Sequence, residues 1–100
     1  MNPVRLKFPA ELIKPFCQKN HIRSLAIFGS FARNDDRPDS DVDVLVDFEP
    51  GYIPGFDFFL LEAELSRLLG HKVDLQTANF LSPAIRQTAL SDAVTVYEQT

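Results

Sequence analysis

The sequence predicts an α/β sandwich in which helices pack against one small sheet. Three observations carry this. Apolar residues recur at helical spacing in Leu12, Ile13, Phe16 and Cys17 and again across 56–69. Residues 41–48 alternate as a strand with one wholly apolar face. Helix-prone and strand-prone segments then follow in the order α-β-α-β-α-β-α-β.

Each element has its own signal. Pro9 stands at a first helical position, and the spacing predicts a helix over about 9–20. Pro15 lies inside it and is expected to kink or shorten it, because proline lacks the N–H that the helix needs. Residues 24–28 read as a short apolar strand broken by Gly29, after which 30–33 can open a helical turn. Residues 34–39, rich in Asp, Asn and Pro, form a turn-bearing loop. In 41–48, Val42, Val44, Val46 and Phe48 make one face, and Asp41, Asp43, Leu45 and Asp47 the other. A loop over 49–54 leads to a helix over 56–69, ended by Gly70 as its cap. Residues 72–75 form a short strand. Ser82-Pro83 pairs a capping hydroxyl with a first-position proline and starts a helix over about 83–91. Residues 93–97 are β-prone and read as a last, edge strand.

The chain has 100 residues, which predicts one domain over 1–100. It is 45% hydrophobic and 24% charged, ordinary for a soluble protein. No apolar run approaches the roughly 20 residues of a membrane helix. No continuous apolar stretch follows Arg5 and Lys7, so neither a secretory signal nor a membrane partner is expected. The single Cys17 cannot close an internal disulfide, which fits a cytoplasmic location, and beside Pro15 and Phe16 it reads as a small hydrophobe. Ten basic against fourteen acidic side chains leave a net charge of -4, which argues against direct nucleic-acid binding.

The chemistry concentrates in two places. Asp41 and Asp43 project from one face of their strand, about 7 Å apart along the chain. Carboxylates on a valine-rich strand are costly unless water or a metal meets them. Carboxylate oxygens are what Mg²⁺ prefers, beside waters and substrate phosphates. The plain alternative is a solvated edge strand. A calcium-binding helix–loop–helix starting at Asp39 is excluded, since Val44 and Pro50 fall where glycine and glutamate are needed. Asp74, an acid between Val73 and Leu75 in another short strand, favours the metal. If that strand pairs beside the first, three carboxylates converge, and two metals about 3.5–4 Å apart can bridge them to a triphosphate.

The second place is Gly29-Ser30. Glycine allows a sharp turn and close approach of backbone to ligand. A helix opening at Ser30 offers free N–H groups and the positive end of its dipole to phosphate. Arg33 projects from the same side. It can pair with a phosphate or an aspartate of the site, or form a plain salt bridge to Asp35, Asp36 or Asp39. No Gly-x4-Gly-Lys-Ser/Thr loop is present.

Together these residues resemble a known signature. Gly29-Ser30, ten residues, Asp41-x-Asp43 and a later strand acid at Asp74 resemble the nucleotidyltransferases of the DNA polymerase β superfamily. The contexts Phe28-Gly29-Ser30-x-Ala32-Arg33 and Ser40-Asp41-x-Asp43 are similar to the minimal nucleotidyltransferases (MNT) of MNT/HEPN toxin–antitoxin pairs. The likeness runs from about residue 20 to 97 and includes Leu81-Ser82-Pro83-x-Ile85-Arg86 and Val94-x-Val96-Tyr97. It implies a small mixed sheet with helices packed against it. It also implies Mg²⁺-dependent transfer of AMP from ATP, with two ions. Gly29, Ser30 and Arg33 would hold phosphate, and Asp41, Asp43 and Asp74 the metals. Asp74 would also act on the attacking hydroxyl. The implied acceptor is a tyrosine of a HEPN-type ribonuclease toxin, the chain being its antitoxin in a hetero-oligomer. Asn34 departs from the glycine usual after the arginine.

His21 and His71 have no partner at metal-ligand spacing. The 52–59 segment holds four aromatics, expected to be core plus helix packing, with any exposed part docking a partner. Two other functions stay open. One is a binding module that masks its partner by contact alone. The other is a small-molecule nucleotidyltransferase, for which the chain leaves little room for an acceptor pocket.

Overall fold

The computed structural model describes residues 9–29, 32, 41–77 and 81–99. Their elements are α1 (Ala10–Lys19), β1 (Ile22–Phe28), β2 (Val42–Phe48), α2 (Asp57–Leu69), β3 (Val73–Gln76), α3 (Pro83–Asp92) and β4 (Val94–Glu98). The strands form one mixed sheet in the order β3-β2-β1-β4. β1 runs antiparallel to β2 and β4, while β2 and β3 are parallel. The expected sandwich and the edge position of the last strand are therefore both found.

Local chemistry explains the boundaries. Pro9 takes an extended ψ of 118° and caps α1 from outside, instead of forming its first residue. Its carbonyl accepts from the N–H groups of Leu12 and Ile13, both at 3.0 Å. α1 continues through Pro15 to Lys19, so the expected shortening does not occur. Burial explains why: Ile13, Phe16 and Cys17 are each at most 3% exposed, and this packing outweighs the lost hydrogen bond. Gly70 ends α2 with φ of 70°, and Ser82 caps α3 by accepting from the Ile85 N–H at 3.4 Å. Both agree with their sequence signals.

One sheet face is covered and the other is open. Val42, Val44 and Val46 face inward and join Ile22, Leu25 and Ile27 of β1 with Val73 and Leu75 of β3. Onto them pack Ile13, Phe16 and Cys17 from α1 and Leu61, Leu65 and Leu69 from α2. Asp43, Leu45, Asp74 and Gln76 therefore lie on the opposite face, since strand side chains alternate.

The free edge of β3 is held by α2. Glu62 and Ser66 lie one helical turn apart, so they reach along the strand together. Glu62 Oε2 accepts from the Leu75 N–H at 2.8 Å, and Ser66 Oγ accepts from the Val73 N–H at 2.9 Å. Ser66→Ala is expected to cost about 1–3 kcal/mol, because a part-buried N–H loses its partner. Urea unfolding measures the loss, and amide exchange at Val73 should accelerate with it.

The Cys17 thiol is buried, and that burial pushes its pKa from 9.0 up to about 12. In the unfolded chain it ionises near its ordinary value, so the folded state retains a proton that the unfolded state has lost. The thiol's contribution to stability is intact below about pH 9 and falls as pH rises toward 12. Iodoacetamide at pH 8.5 is expected to leave the folded protein unlabelled and to label it fully in guanidinium, read by intact mass.

Candidate active site

The register of two strands builds the site. In the parallel pair, Val42 lies beside Val73 and Asp43 beside Asp74. Neighbouring strands stand about 4.8 Å apart, so the two carboxylates project side by side from the open face. On its other side, Asp43 pairs with Phe28, the last residue of β1. The chain then turns at Gly29, with φ of +74°.

That glycine is required twice over. Its φ lies in the left-handed region that L side chains avoid. A Cβ at this position would also collide with Asp43 Oδ2 and lie 3.2 Å from its Cγ. The Asp43 carboxylate thus occupies the space above the bare backbone of the turn.

Asp74 is anchored from its own strand. Gln76 lies two residues on, on the same face, and its Nε2 donates to Asp74 Oδ1 at 2.8 Å. Asp41 precedes β2 and is more exposed, its carboxylate 4.0 Å from Lys72 Nζ. The Val42 N–H donates to the Lys72 carbonyl at 2.8 Å, which ties the two strand starts together. The structure therefore brings Asp43 and Asp74 together, with Asp41 beside them turned toward a lysine. Among the described residues no three His, Cys, Asp or Glu side chains close around one point. Ser30, Arg33 and the 34–39 loop with Asn34 lie outside the described residues. Of the expected turn only Ala32 is described, helical and buried.

Residues 11–100 match the family model described as polymerase beta nucleotidyltransferase. The chain belongs to that family. A Methanocaldococcus jannaschii relative named among the protein adenylyltransferases is 38% identical over 84 residues, covering 84% of this chain and 89% of that protein. The protein adenylyltransferase MntA of Thermococcus cleftensis is 43% identical over 76 residues, covering 75% of each. A solved structure described as a minimal nucleotidyltransferase is 36% identical, covers 84% of this chain and 85% of its own, and superposes with a TM-score of 0.70. At the level of fold alone, a toxin–antitoxin complex with AMP-PNP aligns at 18% identity and TM-score 0.74, covering 93% of this chain and 76% of its own. A tri-AMPylated Shewanella oneidensis HEPN toxin with its MNT antitoxin aligns at 18% identity and TM-score 0.64, covering 89% and 69%.

Within this family site, the sequence reading missed Gln76 and Lys72. Strand alternation alone places Gln76 on the face of Asp74, so that signal was available. Lys72 needed the parallel register, which sequence does not show. His21 serves structure. His21, at φ 58°, stacks on Tyr52 with ring centroids 4.5 Å apart, and its Nδ1 lies 3.4 Å from Glu49 Oε1. The open face also carries a groove of about 820 Å³, bounded by Ser24, Ala26, Leu45, Tyr52, Thr77 and Leu90. It is left open because α1 and α2 both pack on the other face.

Gly29→Ala is expected to remove transfer activity by at least a hundredfold while the protein stays folded. The new methyl displaces Asp43, and the left-handed strain adds about 1–2 kcal/mol of destabilisation. Thermal melting and a radiolabelled AMP-transfer assay separate the two effects.

Proposed function

We propose that this protein is an antitoxin that transfers AMP from ATP to a hydroxyl of a HEPN-type toxin, tyrosine foremost. One observation carries the reading: Asp43 and Asp74 stand side by side on adjacent strands, with Asp43 against the Gly29 turn. The family's relatives named protein adenylyltransferases support AMP and a protein acceptor. Complexes of the same fold with HEPN toxins support the partner.

An all-carboxylate donor set fits a hard divalent cation that retains waters and phosphate oxygens. Asp43 and Asp74, with Asp41 alongside, would hold Mg²⁺, which when bound neutralises phosphate charge and acidifies the acceptor hydroxyl. The remaining roles belong to the chain. The Gly29 turn places bare backbone against the triphosphate, with Ser30 and Arg33 as its further contacts. Gln76 holds one oxygen of Asp74 and leaves the other to face the acceptor. The acceptor oxygen then bonds to the α-phosphorus, and its proton passes to Asp74. The bond to the bridging oxygen breaks, and pyrophosphate leaves.

ATP as substrate and a cytoplasmic partner set the location in this reading. No helix among the described residues is long and apolar enough to cross a membrane. Docking of the toxin falls to the exposed residues Ile53, Phe56, Phe59 and Leu60, between 67% and 88% exposed. The other apolar face of α2, with Leu61, Leu65 and Leu69, is in the core.

Asp43→Ala is expected to lower transfer about a thousandfold, a loss of about 4 kcal/mol of transition-state stabilisation at ~1.4 kcal/mol per tenfold. Stability should hold or rise, because two adjacent like charges become one. Mg²⁺ with ATP should raise the melting temperature of the native protein more than either alone. Mass spectrometry of the co-expressed toxin should show added AMP, absent with Asp41→Ala/Asp43→Ala. An unmodified toxin still neutralised by that double variant selects the binding module.

A further inference from the structure

We infer that Lys72 is an exchange cation for this site: it pairs with Asp41 before metal binds, and its ammonium passes to a phosphate oxygen of the nucleotide once Asp41 turns to a divalent cation. The inference rests on the nucleotidyltransferase reading and adds to it a residue that links metal loading to nucleotide binding. Its first ground is position. Val42 pairs with Val73 and Asp43 with Asp74, so the same parallel register sets Asp41 beside Lys72 one step earlier. The Val42 N–H donates to the Lys72 carbonyl at 2.8 Å and fixes the two backbones there. Val73 is in the core, so alternation puts Lys72 with Asp74 on the open face. Two cross-strand pairs thus stand in line, Asp41 with Lys72 and Asp43 with Asp74. The first carries the positive charge that the second lacks.

Charge is the second ground. Lys19 and Arg23 are engaged by Glu64 and Asp47, whereas Lys72 lies against an aspartate of the site. Its Nζ stands 4.0 Å from Asp41 Oδ2, longer than a hydrogen bond, and its side chain is 81% exposed. An exposed pair of this length is weak. Asp41 therefore gives it up readily to a divalent cation, which binds through carboxylates and substrate phosphates. Reach is the third ground. The strand order puts Lys72 and the Gly29 turn on opposite flanks of Asp41 and Asp43. A triphosphate that lies along that turn and meets metal at these aspartates has its other flank toward Lys72. The lysine side chain is a flexible four-carbon stem with three rotatable donors, so the released ammonium can swing to a phosphate oxygen while its backbone stays fixed. Metal alone strips Lys72 of its partner and gives it no other. Metal with nucleotide supplies one. Lys72 thus disfavours the bare ion and favours the metal–nucleotide complex.

The test compares the full chain with Lys72→Gln and Lys72→Arg, and reads binding instead of transfer. Mn²⁺ alone is titrated by the loss of its free-ion paramagnetic resonance signal. Mg²⁺ with α,β-methylene-ATP, whose α–β bridge cannot be cleaved, is titrated by calorimetry. Lys72→Gln is expected to bind Mn²⁺ alone about threefold to tenfold tighter, because a repelling charge beside the ion is gone. The same variant is expected to bind the Mg-nucleotide about tenfold weaker, because a charge-assisted contact to phosphate is lost. Lys72→Arg keeps the charge and should hold both affinities within about threefold of wild type. Affinities that fall together in Lys72→Gln mark a structural lysine and overturn the inference. An unchanged nucleotide affinity overturns it whatever Mn²⁺ does. Wild-type protein that binds no Mg-nucleotide at all overturns the underlying reading instead.

Discussion

Everything at the site depends on the parallel pairing of β2 with β3. Parallel strands cannot be joined by a tight hairpin, so the chain must cross over, and α2 is the crossover. Leu61, Leu65 and Leu69 seat that helix under the sheet, while Glu62 and Ser66 hold the N–H groups on the free edge of β3. Register follows from burial. A slip of one residue would drive Asp74 into the core and expel Val73 and Leu75. The apolar pattern of a four-residue strand thus sets where the Asp74 carboxylate stands.

That placement has an energetic cost. Like charges opposite each other on neighbouring strands repel. The site lowers the cost by position and by polar neighbours. Gln76 donates to Asp74, Lys72 stands near Asp41, and both Asp43 and Asp74 lie on the face that no helix of the main core covers. The same asymmetry creates the groove, because α1 and α2 share one side of the sheet.

The fold was largely legible because its signals are local. Alternation across 41–48, the Gly70 stop and the Ser82-Pro83 start each involve neighbouring residues, and all three appear in the structure. The shortening expected from Pro15 did not occur, since it depends on how firmly Ile13, Phe16 and Cys17 are buried, a tertiary property. Of the site, the pairing of Asp43 with Asp74 was conditional on strand order, which no local pattern states. The contact of Lys72 with Asp41 could not be read because it spans the crossover, and those of Glu62 and Ser66 because they depend on how α2 lies along the edge of β3. Asp43's collision course with a Cβ at Gly29 likewise requires three-dimensional register, although the glycine itself was conspicuous.

The aromatic 52–59 segment was expected to divide between core and surface, and the division has a consequence for stability. Phe58 packs against Phe48, and Tyr52 lies between Phe48 and His21. Phe56 and Phe59 are left 88% and 69% exposed, beside Ile53 at 86%. A helix whose first turn is apolar on its outer side gains nothing from that side within its own domain. Among the described residues no further layer covers it. A partner that does cover it binds only the folded chain, and so stabilises the fold by RT ln(1 + [L]/Kd). Occupancy of the patch and persistence of the folded chain are then one equilibrium, and the concentration of the partner sets both.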